Sequence, residues 1–331
     1  MKNILIGMNR LFIAVLIITL LICCKKQTPQ TPLNQQAEIE TSTSQVYIVG
    51  VDSDGAVYWL NGEKNIIPNS SSDATAWGIV VSYADVHIVG RDRNNAVHWL
   101  SGTRIVLPSS GAAEAYAIAI STSNIYIAGY DGYNAVYWLN AKQTVLPKSS
   151  NQMAKACAIA VSDSNVYIAG WDGDNAAYWL NDRLTVLPKA DNSNPAKAYA
   201  IAVSGTDAYI AGTDGDTAVY WLNGRRIILS EEVSSRTHAI AISNSDVYIV
   251  GDVLSEDNNY EVVYWQNGKR NVLPSDYRIA MGNSIAVSGS DLHIAGFNGS
   301  DAVYWLNGRM STLPKALNGS AIANGIAVLR F

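Results

Sequence analysis

Cysteine is nearly missing from this chain: three occur in 331 residues, two adjacent at Cys23 and Cys24 and one at Cys157. No disulfide framework can be built from that set. A basic excess is missing too, since 23 Lys and Arg stand against 28 Asp and Glu for a formal net charge of −5. The electrostatic footprint of a nucleic-acid binder is therefore absent. Beyond residues 11–24 no apolar run approaches the roughly 20 residues of a membrane-spanning helix. Nor does any later segment keep a helical period over two turns, which leaves an all-β chain.

The N-terminus has the layout of a signal peptide, with Lys2 and Arg10 and no acid ahead of an apolar stretch from Leu11 to Cys24. Lys25 and Lys26 follow it directly, on the side that would have to be translocated, which disfavours a permanent transmembrane anchor. The segment Leu21-Ile22-Cys23-Cys24 resembles the lipobox of bacterial lipoproteins, with Cys24 as the lipidated residue because small Cys23 precedes it. That resemblance implies a signal peptide over 1–23 and several acyl chains on Cys24, enough for stable anchoring. Lys25 in second place implies the outer membrane if the cell is Gram-negative. Residues 24–44 are rich in Gln, Thr, Pro and Ser, cannot bury a core, and read as a tether. Without residues 1–23 the formal charge moves from −5 to −7, because Lys2 and Arg10 leave and no acid does.

What the rest of the chain has is repetition. Tryptophan marks the register at Trp59, Trp99, Trp138, Trp179, Trp221, Trp265 and Trp305, a mean period of 41 residues. Around Trp138 the unit reads Ile125-Tyr126-Ile127-Ala128-Gly129, Ala135-Val136-Tyr137-Trp138-Leu139, Thr144-Val145-Leu146-Pro147 and Ala158-Ile159-Ala160-Val161-Ser162. Each is a short β-rich segment bounded by turn chemistry, hence a strand. Asn61-Gly62, Asn223-Gly224, Asn267-Gly268 and Asn307-Gly308 join the second and third as tight hairpins. Five-residue loops such as Tyr130 to Asn134 are expected between the first and second.

The strands are apolar on both faces, so each small sheet needs cover on both sides, which stacked blades provide. The repeats begin at Val46 without an Ala-Ile-Ala-Val strand and end in one, Gly325 to Leu329, so two partial units make one whole. The expectation is a seven-bladed β-propeller over 45–331, about 28 strands in four-stranded blades ordered A to D outward. Its C-terminal strand A closes the ring on the N-terminal strand B. The Gly after strand B, the Ala-Val-Tyr-Trp-Leu-Asn-Gly segment and the Val-Leu-Pro segment resemble the extracellular propeller repeats called HAF repeats, over residues 46–329. That resemblance implies the fold and carries over no functional residue.

Comparison of the seven copies separates scaffold from variation. The tryptophans, the Gly after strand B and the Leu-Pro recur because every blade needs them. Two positions on the face of the D-to-A and B-to-C loops do not recur. One, read as opening strand A, is Trp77, Tyr116, Cys157, Tyr199, His238, Asn283 and Asn324, expected to ring the channel mouth. The other is Val51, Arg91, Tyr130, Trp171, Thr213, Asp252 and Phe297, expected in a wider ring. Aromatic and polar groups around a concavity suit small-ligand and glycan sites, while aromatics that merely plug the channel are the plainer alternative.

His87, His98 and His293 fill Tyr positions of the repeat, and His238 with Cys157 two blades away falls short of a metal-ligand cluster. Asp52 with Asp54, Asp172 with Asp174 and Asp214 with Asp216 either hold Ca²⁺ or make turns, and no single loop offers a graded ligand series. The corresponding loop of blade six, Asp252 to Glu261, is longer and carries Asp252, Glu256, Asp257 and Glu261. Together these features favour a monomeric envelope protein without cofactor that binds a glycan, peptide or protein partner, with membrane contact only through its lipid. A hydrolase or lyase acting on polysaccharide is the alternative, and it requires two acids converging on the mouth.

Overall fold

The computed structural model describes residues 44–82, 85–191, 193–230, 234–255 and 257–331. The signal peptide, the lipobox with Cys24, and the tether up to residue 43 lie outside these residues, as does Glu256. The described residues form 28 strands in seven four-stranded antiparallel sheets. Blade three shows the plan: A is Ala113–Ser121, B Asn124–Asp131, C Asn134–Leu139 and D Lys142–Val145.

In blade one the inner strand is the C-terminal one, Ala321–Arg330, paired antiparallel with Ser44–Asp52 from Ser44↔Arg330 to Asp52↔Ala321. It neighbours Ala280–Ser288 of blade seven on one side and Thr75–Ser82 of blade two on the other. The ring is therefore closed by hydrogen bonding between the two ends of the repeat array.

The turns follow from residue choice. Asn61 and Gly62 take φ of 52° and 87°, as a two-residue hairpin requires, and the Asn61 side chain accepts from the Val46 amide at 2.9 Å. The B-to-C connections are shorter than the expected five residues: strand B runs to Asp131 and strand C starts at Asn134, leaving Gly132 at φ 59° and Tyr133 as the turn. In blade six, too, half of the longer segment is strand, with pairing continued through Val253↔Glu261 and Leu254↔Tyr260.

Each strand C tryptophan is buried, at most 1% exposed. Removing such a ring from water contributes on the order of 5 kcal/mol at most. Five of the indoles also reach across the blade boundary. Trp59, Trp138, Trp179, Trp221 and Trp305 donate to the carbonyl oxygens of Pro314, Pro108, Pro147, Pro188 and Pro274 of the preceding blade, at 2.7–2.9 Å. The Trp and the Leu-Pro of the repeat are thus two halves of one inter-blade contact.

The Asp-x-Asp pairs divide in the same manner. Asp172 is fully buried and accepts from the Ser149 amide and hydroxyl and the Ser150 hydroxyl of the blade before, at 2.5, 2.7 and 2.8 Å, whereas Asp174 is exposed. Burial pushes the Asp172 carboxyl up, and those hydrogen bonds outweigh it, holding it below the usual range. Asp131 does the same with Ser110 and Gly111. Strand D completes the pairing: Lys64 bonds Asp52 at 2.5 Å, Arg104 bonds Asp92 at 2.6 Å, and Arg226 bonds Asp214 at 2.5 Å. Blade seven has neutral Asn298 instead, and there the strand D position is Met310, 3.6 Å away. The first aspartate of each pair is therefore an inter-blade anchor.

The scaffold histidines pair with each other or with tyrosine. His87 Nδ1 lies 3.2 Å from His98 Nε2 with the rings stacked, and His293 Nδ1 lies 2.7 Å from the Tyr304 hydroxyl. Burial lowers the basicity of all three, taking His98 down to about 4.

Candidate functional site

Strand A carries a β-bulge at the same place in every blade, and the extra residue is the variable one. In blade three Ala115 pairs with Gly129 and Ala117 with Ala128, leaving Tyr116 unpaired. The register skips Trp77, Cys157, Tyr199, His238, Asn283 and Asn324 in the same way. These residues do not open strand A, as the sequence suggested, because each strand starts two or three residues earlier. A bulge re-aims the side chain that it inserts.

The Gly of strand B makes the bulge feasible. A Cβ built on Gly129 would lie 1.9 Å from the Glu114 carbonyl oxygen, and its six equivalents would meet strand A carbonyls at 1.9–2.1 Å. Only glycine lets the two backbones approach that closely.

All seven bulge residues line one cavity of about 710 Å³ on the axis. Beneath them runs a collar of seven isoleucines two residues further along each strand A: Ile79, Ile118, Ile159, Ile201, Ile240, Ile285 and Ile326. The bulge side chains are half-buried, so they line the channel rather than fill it. The volume lies within the roughly 300–1,000 Å³ usual for small-ligand sites.

The wider ring divides. Val51, Trp171 and Phe297 line the cavity, whereas Arg91, Tyr130, Thr213 and Asp252 do not. Thr213 and Asp252 are buried. Arg91 turns to Glu114 at 2.9 Å, and Tyr130 stacks on Tyr116 with 5.9 Å between centroids.

A third set escaped the sequence reading. Two residues before each bulge stand Thr75, Glu114, Lys155, Lys197, Arg236, Met281 and Ile322, each paired across to the wider ring. Their variability was the available signal, masked by the assumption that strand A began later.

Lys155 Nζ lies 4.3 Å from the Tyr130 centroid, 5.9 Å from that of Trp171, and 2.9 Å from the Tyr116 hydroxyl oxygen, to which it donates. Lys197 Nζ lies 4.7 Å from the Trp171 centroid. Trp77 meets Tyr116 edge-on at 6.0 Å. Blades two to five thus carry an aromatic and cationic arc.

Across the channel, Asn283 and Asn324 donate to the carbonyls of Ala323 and Ala76, both at 2.9 Å, and His238 Nε2 bonds the Asp252 carboxylate. Among the described residues, no Asp or Glu lines the cavity.

Burial, then the nearby Glu114 charge, pushes the Tyr116 hydroxyl far above its usual range, and burial raises Tyr130 and Tyr199. Cys157 is pushed up to about 12 by burial, against the opposing pull of Lys155 and Lys197.

No protein-family model matches the chain, and no curated protein does. Among solved structures it is similar to the extracellular domain of BT4673 from B. thetaiotaomicron in two structures, at 9% and 10% identity and TM-scores of 0.51 and 0.52. Those matches cover 76% and 82% of this chain and 37% and 38% of that one, so the chain spans less than two-fifths of that domain. It is also similar to the computationally designed Ika8 protein, at 15% identity and a TM-score of 0.50 over 86% of this chain and 93% of that one. At these identities the likeness is one of fold.

Proposed function

We propose that the protein is an exported binding propeller of the cell envelope, recognising a glycan, peptide or protein partner through the axial mouth. The observation that carries this reading is the contrast between a uniform scaffold and a varied mouth. Five of the seven blades share the Trp-to-Pro bond, six carry the aspartate or asparagine at the anchor position, and all seven carry the bulge. At the bulge itself they place Trp, Tyr, Cys, Tyr, His, Asn and Asn around an open cavity. A structural role would ask for one residue type there, as it does at the isoleucine collar. Varied aromatic and polar side chains around a concavity, above a uniform collar, suit a small-ligand or glycan site.

The test is a binding screen against glycans, peptides and envelope extracts, followed by Tyr116→Ala with Tyr199→Ala. Binding should be lost while the melting temperature moves by only a few degrees, as expected for side chains that line a mouth. Retained binding in the folded double variant, or a collapse of stability by the roughly 3 kcal/mol or more of a core aromatic, counts against the reading. Loss of binding only on changing Tyr130, Trp171 and Phe297 would move the site outward.

Localisation rests on Leu21 to Cys24. Replacing Cys24 by Ser should release the protein from membranes in a native host, and Cys23→Ser should leave it there. Equal retention of both variants would remove the lipid anchor from the proposal.

A further inference from the structure

Resting on that reading of the mouth, we infer that its ligand is an acidic saccharide, with a carboxylate or sulfate held between Lys155 and Lys197. The charge pattern leads to this. The chain is acidic, at −5. Yet the position two residues before the bulge is Lys155, Lys197 and Arg236 in three consecutive blades and Ile322, Thr75, Glu114 and Met281 in the other four. The scaffold does not need a cation there.

Both lysines line the cavity, and among the described residues neither has a carboxylate within ion-pair distance. Two acids near the mouth are already engaged, Glu114 by Arg91 and Asp252 by His238, and Glu114 reaches Lys155 only through the Tyr116 hydroxyl. Two half-buried lysines thus face a shared concavity without a direct ion-pair partner among the described residues. An anion entering there gains more than at the surface, because the local dielectric is lower than that of water.

The ring faces say what carries the anion. Lys155 and Lys197 are both held at Trp171, and Lys155 bonds the Tyr116 hydroxyl; both rings line the cavity, so an ammonium pair and aromatic surfaces are offered at one point. A sugar ring stacks its C–H face on such surfaces while an acidic substituent reaches the ammonium groups. An acidic peptide fits less well, because outside proline it supplies the anion without a C–H ring face for the aromatic surfaces.

The experiment titrates the full-length protein, at fixed ionic strength, with a uronic-acid trisaccharide, a sulfated trisaccharide, and the neutral trisaccharide of the same linkage, following Trp fluorescence and heat. An acidic probe should bind at least about tenfold more tightly than the neutral one and weaken as salt rises. Lys155→Gln with Lys197→Gln should erase that preference, and Lys155→Arg with Lys197→Arg should keep most of it with an unchanged melting curve. Preference for the uronate or for the sulfate identifies the anion.

Equal affinity for acidic and neutral probes, an acidic affinity indifferent to the Gln pair, or no binding of either acidic probe at millimolar concentration overturns the inference. If a neutral sugar or a peptide binds instead and Tyr116→Ala with Tyr199→Ala abolishes it, the mouth stands and only its charge preference falls. Binding unaffected by any mouth variant removes both.

Discussion

Deleting Gly325 to Phe331 is expected to unfold the propeller or drive it into oligomers. The deleted segment supplies the pairing from Val49↔Gly325 to Ser44↔Arg330, so its loss leaves the inner edge of Ser44–Asp52 open over most of its length. It also removes Ile326 from the core that joins blade one to blade seven and the bond from the Ile326 amide to the Ser284 hydroxyl at 3.2 Å. A ring differs from an open stack in this respect. Each blade is covered on both faces only while all seven are in place, so one missing inner strand exposes apolar surface on two neighbours as well as an unpaired edge. Size-exclusion chromatography with a circular-dichroism melt checks it. A truncated chain that stays monomeric and melts where the intact chain does would contradict closure through the chain ends.

Gly170→Ala should lower stability by at least about 3 kcal/mol, in the range reserved for steric conflict inside a core. The added Cβ would stand 1.9 Å from the Lys155 carbonyl oxygen, 2.9 Å from its carbon and 3.1 Å from Ala156 Cα. All three are backbone atoms, so no side chain can swing aside, and the bulge that carries Cys157 must shift. Gly132→Ala is the control, because at Gly132 the added atom meets nothing within 4 Å and the cost is that of a φ of 59° alone, about 1 kcal/mol. Urea unfolding midpoints compare the two. Similar losses for both would mean that the close approach of strands A and B can relax, and with it the argument that the scaffold glycine sets the mouth.

Much of the fold was legible in the residues because it rests on short-range chemistry repeated seven times. Asn61-Gly62 specifies its hairpin wherever it lies, and Val136-Tyr137-Trp138 reads as a strand without knowledge of its neighbours. Repetition then fixed the blade count. The complementary ends at Val46 and Gly325 announced closure. The site was legible in part, since the bulge position was noticed through its variation at Trp77, Tyr116 and Tyr199. Its geometry was not. Strand A was read as starting at the bulge, which concealed Lys155 and Lys197. The aspartates of the Asp-x-Asp pairs were read within their own loop, whereas Asp172 finds its partners at Ser149 and Ser150 in the blade before.

The sequence by itself therefore determined the strands, their turns, the number of blades and the way the chain closes, because each depends on residues near one another along the chain or on plain repetition. Tertiary structure alone decided the rest. It turned an unpaired residue of every inner strand into the channel by bringing the strand A backbone within reach of a glycine in strand B. It joined the Trp of one blade to the Pro of the last. It also left two lysines of adjacent blades in one concavity without a direct ion pair among the described residues, because what balances a charge depends on distances in space, which spacing along the chain does not fix.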